Sequence, residues 1–306
     1  MLGFLLRRLV LTIPVLFGVA TLVFSLIHLV PGDPAQAMLG EGASAQDIHD
    51  LRSKLGLDRP LLEQYGAFVR GALAGDLGVS FRTGQTVTGM IIERMPATIE
   101  LTFAAMLVTI VVALPLGIVA AVKRGTLADH SAMTFALAGI SIPNFWLGPL
   151  LAIIFAVELG WLPVSGRGGL TSLVLPAVSL GLALAAILAR MTRASLLEEL
   201  HQLYVRAARA RGVSRSRSIV RHALANSLVP VVTIVGAQFG AVLTGAVITE
   251  TIFAWPGIGR LLIQSIGFRD YPMVQGCILL IAVTYVAVNL VTDVLYGVLD
   301  PKIRLQ

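Results

Sequence analysis

Long runs without a charged side chain are the dominant pattern in this sequence. Six such runs occupy residues 9–30, 101–122, 131–157, 168–189, 223–249 and 271–292. Each exceeds the roughly 20 residues that an α-helix needs to cross a hydrocarbon core about 30 Å thick. None shows the alternating polarity over about ten residues that is typical of a membrane β-barrel strand. The pattern therefore predicts an all-α, polytopic membrane protein with six transmembrane helices.

The polar stretch between the first two runs, residues 31–100, has helical patterning of its own. Ser44 and Asp47 stand at the spacing of a capping box, and Gly56 is a C-terminal stop signal. Asp58 is expected to cap a second helix with Pro60 in its first turn. Apolar residues then recur at helical spacing: Leu61, Leu62, Tyr65, Phe68, Val69 and Leu73. We expect a small amphipathic helical extension that lies on the outer membrane surface or a partner protein, or packs only on its own bundle.

The distribution of basic residues sets the orientation. Only 13% of the residues are charged, against roughly 25% in soluble domains, and the net charge is +6. One side of the six-span topology carries fourteen basic residues: Arg7, Arg8, Lys123, Arg124, Arg190, Arg193, Arg206, Arg209, Arg211, Arg215, Arg217, Arg221, Lys302 and Arg304. The short loops of the other side carry three: Arg167, Arg260 and Arg269. The positive-inside rule then predicts cytoplasmic termini, an external 31–100 segment, and a lipid bilayer rather than nucleic acid as the basic chain's partner.

Catalytic signatures are missing from the sequence. There is no glycine-rich nucleotide loop ending in Lys-Ser or Lys-Thr, no metal-binding histidine pair, and Cys277 has no partner cysteine. We therefore expect no enzyme activity and no cofactor bound by this chain. Glu250 and Asp293 close the fifth and sixth runs at the membrane edges, where an exposed charge costs little; with Trp255 they are candidates for a gate or pathway.

Two further features concern contacts between helices and with partners. Gly236 and Gly240 form a GxxxG step suited to close helix packing. Residues 190–221 hold eight arginines against the two acids Glu198 and Glu199. An apolar helical face is predicted there: Leu196, Leu197, Leu200, Tyr204, Ala207 and Ala208. Anchoring on anionic lipid would explain the charge, but not the apolar face or the stop at Gly212, which suit a short helix inserted in a protein groove.

The stretch 204–212 (YVRAARARG), followed by 222–230 (HALANSLVP), resembles the coupling loop of ABC-importer permeases. The general pattern opens with Glu-Ala-Ala, whereas Arg206-Ala207-Ala208 matches the dipeptide and oligopeptide branch, and Arg211 replaces a usual Lys. Further matches run along the chain: 31–34 (PGDP), 55–58 (LGLD), 75–78 (GDLG), 120–124 (AAVKR), 249–257 (TETIFAWPG) and 269–272 (RDYP). The chain resembles the DppB-like dipeptide permeases, with oligopeptide, glutathione and nickel permeases as near relatives.

The resemblance implies a permease subunit of an importer for dipeptides or short peptides in the bacterial inner membrane. It implies a second homologous permease, two cytoplasmic ATPase subunits that hold ATP and Mg²⁺, and an external binding protein. Residues 1–95 would form an anchor helix with its external extension, and residues 96–306 the permease domain. The implied ATPase-coupling residues are Tyr204, Arg206, Ala207, Ala208, Arg209, Arg211 and Gly212. A secondary transporter and a non-transporting scaffold are the alternatives, and the sequence does not identify the substrate.

Overall fold

The computed structural model describes residues 2–29, 33–39 and 42–299, which are helical apart from turns and one β-bridge between Val79 and Thr86. In chain order the helices are α1 (Leu2–Leu29), α2 (Pro34–Leu39), α3 (Ala45–Leu55), α4 (Leu61–Leu73), α5 (Val87–Val122), α6 (Leu127–Ser141), α7 (Asn144–Ala152), α8 (Leu170–Leu200), α9 (Leu203–Ala210), α10 (Arg215–Ser218), α11 (Leu224–Gly245), α12 (Val247–Ile252), α13 (Ile258–Gly267) and α14 (Tyr271–Leu299). One π-helical turn, Ile153–Glu158, follows α7, and another, Ile219–Ala223, precedes α11. Pro31 and Gly32 of the 31–34 motif, and the basic residues Lys302 and Arg304, lie outside the described residues.

Helices long and apolar enough to cross a membrane number five within the described residues, or six if a bent pair counts as one span. Four lie in α1, α5, α8 and α14, and one, Arg215–Leu243, runs from α10 through the second π-helical turn into α11. The prediction of an all-α polytopic membrane protein is therefore confirmed.

The third predicted span is not one straight helix. Its two halves, Leu127–Gly139 and Asn144–Glu158, meet at an angle of 97°. Ile142, with φ −90° and ψ 116°, leaves the helical region, and Pro143 follows it. Proline disfavours the α conformation in the residue before it, which accounts for the break at this point. A scan for charge-free runs cannot detect such a break, because it considers side-chain polarity alone.

The chain forms two compact units, each built from segments that are distant in sequence. The first, here called the core unit, comprises residues 99–255 and, within the described part of the chain, 287–299. Within it α8 packs against α6, α7 and α11. Its interior is built of small side chains, among them Ala113, Ala136 and Ala189, all of which are buried. Small residues let membrane helices approach closely, which gives the dispersion contacts that hold such bundles together.

The second unit, here called the flanking unit, comprises Leu2–Thr98 and Pro256–Val286. The capping box of α3 is confirmed: the Asp47 amide donates to Ser44 Oγ at 3.2 Å, and the Ser44 amide donates to the Asp47 carboxylate at 3.3 Å. Gly56 ends the helix with φ 68°. The cap predicted for the next helix is wrong, because Pro60 itself stands at the N-cap of α4 and no side chain caps that end.

Asp58, the residue expected to supply that cap, accepts hydrogen bonds from Arg52 Nε at 3.2 Å and Ser53 Oγ at 2.8 Å. Both donors hold the pKa of Asp58 below its usual range, with the Ser53 hydrogen bond the larger cause. Arg52 also pairs with Asp33 at 2.5 Å. A charged guanidinium forms stronger hydrogen bonds with a carboxylate than a neutral backbone amide does. The carboxylate of Asp58 therefore points back to α3 and does not cap α4.

One face of α4 packs on α1. The Tyr65 hydroxyl lies 2.9 Å from Thr21 Oγ1, and the ring of Phe68 lies 5.9 Å from that of Phe24. Leu62 and Leu73, by contrast, are 85% and 86% exposed. Part of the predicted amphipathic face thus packs within its own chain, and its ends present leucines outward.

Candidate functional site

The candidate coupling segment forms α9, a separate short helix. Helix α8 runs on to Leu200, and the chain breaks at His201 and Gln202 before α9 begins. The residue of α9 that faces inward is Val205, buried in a cluster with Ala121, Leu196 and Ala223. The prediction that one helical face runs from Leu196 to Ala208 is therefore wrong, because the break after α8 resets the helical register.

The outward surface of α9 is basic with small residues between. Arg206, Ala207, Arg209 and Arg211 are exposed, and Ala208 is half-buried. Alanines between arginines leave the helix backbone accessible to a neighbouring surface. This is a surface on which another protein can seat closely while cations surround the contact.

The end of α9 has the geometry of a glycine stop. Gly212 has φ 88° and its amide donates to the Arg209 carbonyl at 3.0 Å, while the Val213 amide donates to the Ala208 carbonyl at 3.2 Å. Glycine adopts this left-handed conformation without the steric penalty of a Cβ atom. The chain can thus turn sharply and enter α10.

Tyr204 links α9 to α8 and to α11. Its hydroxyl donates to the Glu199 carboxylate at the end of α8 and accepts a 2.9 Å hydrogen bond from Asn226 Nδ2 on α11. Burial, and secondly the hydrogen bond to Glu199, raise the pKa of Tyr204 above its usual value. The sequence grouped Tyr204 with apolar residues and gave no sign of Asn226, which lies 22 residues further on.

The glycine pair on α11 lies partly against α14. A Cβ atom at Gly236 would lie 2.5 Å from Thr292 Cγ2, closer than van der Waals contact permits. Gly236 is thus at a close helix crossing within the core unit. Gly240 lies one helical turn further along α11.

The prediction that Glu250 lies at an exposed membrane edge is wrong. It is completely buried on α12, and Trp255 is also completely buried. The Trp255 amide donates to the Glu250 carbonyl at 2.8 Å, across a turn in which Ala254 has φ 49°. Glu250 therefore lies inside the packed core unit, next to this turn. Asp293, the third candidate of the gate or pathway, is half-buried on α14.

In the flanking unit, the 269–272 motif holds the turn around Ser80 in place. Asp270 is buried and accepts hydrogen bonds from Ser80 Oγ at 2.5 Å and the Phe81 amide at 3.0 Å. The guanidinium carbon of Arg82 lies 3.2 Å from the centre of the Phe268 ring. The turn that holds the Val79–Thr86 bridge is therefore fastened to the segment before α14. Nothing in the local sequence pattern predicts this contact.

Cavities in the flanking unit lie beside α4. Two of them, of about 380 and 580 Å³, share walls formed by Ile27, Leu57 and Phe68. No group of three His, Cys, Asp or Glu side chains in residues 2–29, 33–39 and 42–299 is arranged to hold a metal ion.

Comparison with known proteins gives matches along the whole chain. Residues 113–305 match the family model described as binding-protein-dependent transport system inner membrane component, and residues 1–102 match the model of the N-terminal part of such components. The di/tripeptide transport system permease protein DppB of Pseudomonas aeruginosa is 46% identical, with 100% of both chains covered. The glutathione transport system permease protein GsiC of Escherichia coli K12 is 44% identical, with 99% of both chains covered.

A solved structure shares the fold. The inward-facing methionine ABC transporter MetNI contains a chain that superposes with a TM-score of 0.58 at 21% sequence identity. The match covers 69% of this chain and 96% of that one.

Proposed function

This chain belongs to the family of binding-protein-dependent transport system inner membrane components, and we propose that it is a permease subunit of an ATP-driven importer of short peptides. It forms half of the translocation pathway, and a homologous second permease forms the other half. Both termini lie in the cytoplasm, and the 31–100 segment lies outside, where a binding protein delivers the substrate.

The observation that carries this proposal is the geometry of α9. Val205 and Tyr204 anchor the helix inward, to the packed ends of α8 and α11, while Ala207 and the arginines face outward. A helix that is held firmly on one side and open on the other transmits a push from a docked protein into the bundle. This supports α9 as the coupling helix, with Arg206, Ala207, Ala208, Arg209, Arg211 and Gly212 at the contact with the ATPase.

Energy for transport comes from partner subunits in this proposal. The sequence contains no phosphate-binding loop of the P-loop type, so ATP and Mg²⁺ are held by two cytoplasmic ATPase subunits. Their nucleotide state acts by favouring one conformation of the permease pair over another.

Short peptides are the substrate class that the relatives favour. The two relatives above are named for transport of di- and tripeptides and of glutathione, which is itself a tripeptide. Near-equal identities of 46% and 44% favour their shared chemistry, a short peptide, over either substrate alone.

The proposal is tested by uptake in a bacterial strain that lacks its own peptide permeases and carries this chain with its cognate subunits. We expect accumulation of labelled Ala-Ala that requires ATP and persists when a protonophore collapses the proton gradient, with labelled alanine as the negative control. Uptake abolished by the protonophore at normal ATP would indicate a secondary transporter instead. Absence of uptake for every peptide tested, with the complex assembled in the membrane, would indicate a scaffold. Competition by glutathione separates the two substrate types.

A further inference from the structure

An ion pair in the core unit, between the buried Asp129 and the half-buried Arg193, joins the start of α6 to α8. Arg193 on α8 donates two hydrogen bonds to Asp129 on α6, from Nε to Oδ1 at 2.7 Å and from Nη2 to Oδ2 at 2.8 Å. The Gly125 amide adds a third at 3.0 Å. Asp129 is 3% exposed. A carboxylate with three donors and almost no contact with water fixes its partners in one geometry, since a two-pronged guanidinium contact tolerates little rotation.

The pair lies beside the packing that receives α9. Leu196, one helical turn after Arg193, is completely buried against Val205 of α9. Thr192, the neighbour of Arg193, lies against Gly117 of α5, where an added Cβ atom would come within 2.6 Å of Thr192 Cβ. The end of α8 is therefore packed against α5 and α9. The ion pair of Asp129 with Arg193 joins α6 to the same end of α8.

A second contact holds α6 to α8 near the opposite end of α6. A Cβ atom at Gly139 would lie 3.0 Å from the Leu182 carbonyl oxygen of α8. With Asp129 at one end and Gly139 at the other, α6 is fastened along its length. Two residues after the helix ends at Ser141, the chain passes Pro143 and bends by 97° into α7. The break in this span lies at residues 142–143, and α7 beyond it contacts α12 as well as α8.

We infer that Asp129 is a positioning residue that makes α6 move with α8 and α9 as one body, so that displacement of the coupling helix reaches the bend of the third span. This inference rests on the proposed function, because it needs an ATPase that moves α9. The alternative is a purely structural pair, which would contribute equally in every state of the transport cycle. Such a pair would affect stability but would leave the coupling of ATP hydrolysis to transport unchanged.

The first test uses two conservative variants with a matched control. Asp129→Asn keeps the shape and one acceptor oxygen but loses the charge, and Arg193→Lys keeps the charge but loses the two-pronged contact. Arg190→Lys makes the same change one turn away on α8, where the side chain is exposed. At equal assembly with the ATPase subunits we expect basal ATP hydrolysis within twofold of wild type, and stimulation by substrate-loaded binding protein and peptide uptake reduced at least tenfold. The control should match wild type. Full stimulation in both variants would overturn the inference.

The second test keeps the ion pair intact, so it remains decisive if those variants fail to assemble. Spin labels are placed at Leu137 on α6, Trp146 on α7 and Leu203 on α9, which are 50%, 53% and 80% exposed; the native Cys277 is buried. Distances are measured in the whole complex, nucleotide-free and trapped with ATP and vanadate. We expect the 137–203 distance to stay constant while the 146–203 distance changes. A 137–203 distance that shifts as much as the 146–203 distance would overturn the inference.

The two proposals fail in different ways. A wild-type complex that neither binds an ATPase nor imports peptide contradicts the proposed function. An active wild type in which α6 moves independently of α9 contradicts only the role of Asp129.

Discussion

The hydroxyl of Tyr204 on α9 accepts a 2.9 Å hydrogen bond from Nδ2 of Asn226 on α11, and the same hydroxyl donates to Glu199 on α8. One atom thus connects three helices, α8, α9 and α11. Since α9 has eight residues and a single buried side chain, Val205, its orientation depends strongly on this atom. Short helices have little stability of their own and take their place from tertiary contacts.

Tyr204→Phe should loosen α9 without unfolding the bundle. The substitution keeps the ring and removes the oxygen, which leaves Glu199 and Asn226 without this partner; because the site is partly exposed, we expect a loss of only about 1 kcal/mol. Stimulated ATP hydrolysis by the reconstituted complex should fall several-fold at equal assembly. Tyr285→Phe, at a half-exposed tyrosine of α14, is the control and should behave as wild type. Equal stimulation in both variants would show that the hydroxyl has no part in coupling.

Ala207→Trp should weaken binding of the ATPase subunits. Ala207 is exposed on the outward face of α9, so the bulky ring would fill space that the proposed partner occupies. Overpacking of this kind costs about 1–3 kcal/mol, which corresponds to a reduction in affinity of roughly fivefold to 150-fold. Copurification of the ATPase from detergent extracts measures the effect.

The paired comparison for that surface is Arg215→Gln with Arg217→Gln. A loop that rests only on anionic lipid would tolerate or favour tryptophan, which is common at membrane interfaces, and would be harmed more by the loss of charge. Normal copurification and transport in Ala207→Trp, combined with poor membrane association of the double arginine variant, would therefore contradict the coupling role of α9.

Cysteines introduced at Ala45 and Ser216 should be labelled from opposite sides of the membrane. Both positions are exposed, and the asymmetry of basic residues predicts that Ala45 lies outside and Ser216 in the cytoplasm. A membrane-impermeant maleimide applied to intact spheroplasts should modify Ala45→Cys alone, and lysis should expose Ser216→Cys. The buried Cys277 of the unsubstituted protein gives the background. Labelling of both positions in intact spheroplasts would contradict the topology.

Gly236→Ala should destabilise the core unit by about 1–3 kcal/mol, because the added methyl group overlaps Thr292 of α14. Adding Thr292→Ala removes the overlapping atoms, so the double variant should recover most of the loss. Thermal unfolding in detergent measures the stability of the wild type, of each single variant and of the double variant. Gly18→Ala on α1, where no atom lies within 4 Å of the new methyl group, should be neutral. An equal loss in the single and double variants would mean that the crossing at Gly236 is not tight.

Features that depend on residues close in sequence were predictable, and those that depend on distant residues were not. The capping box joins Ser44 and Asp47, which are three positions apart, so the local pattern predicts it correctly. The bend after Ser141 had a local signal in Pro143, but the search for charge-free runs does not weigh backbone geometry. The pair of Asp129 and Arg193 joins residues 64 positions apart, and no periodicity in either segment indicates the other.

Glu250 shows the same limit in a different form. Its position at the end of an apolar run indicated a charge at the membrane edge, as is usual where a span ends. In the structure the residue is instead completely buried, four residues before the turn at Ala254. Burial depends on how the helices pack together. A sequence pattern therefore locates a carboxylate along the chain but does not indicate whether it is exposed to water.

The hydrogen bond between Ser80 and Asp270 cannot form until most of the chain has been synthesised. The two residues are separated by 190 positions, so at 5–20 residues per second Asp270 leaves the ribosome roughly 10 to 40 s after Ser80. Through that interval the turn from Val79 to Thr86 has no anchor on the segment before α14. A chain interrupted before Asp270 would therefore lack both hydrogen bonds that hold this turn, from Ser80 and from the Phe81 amide.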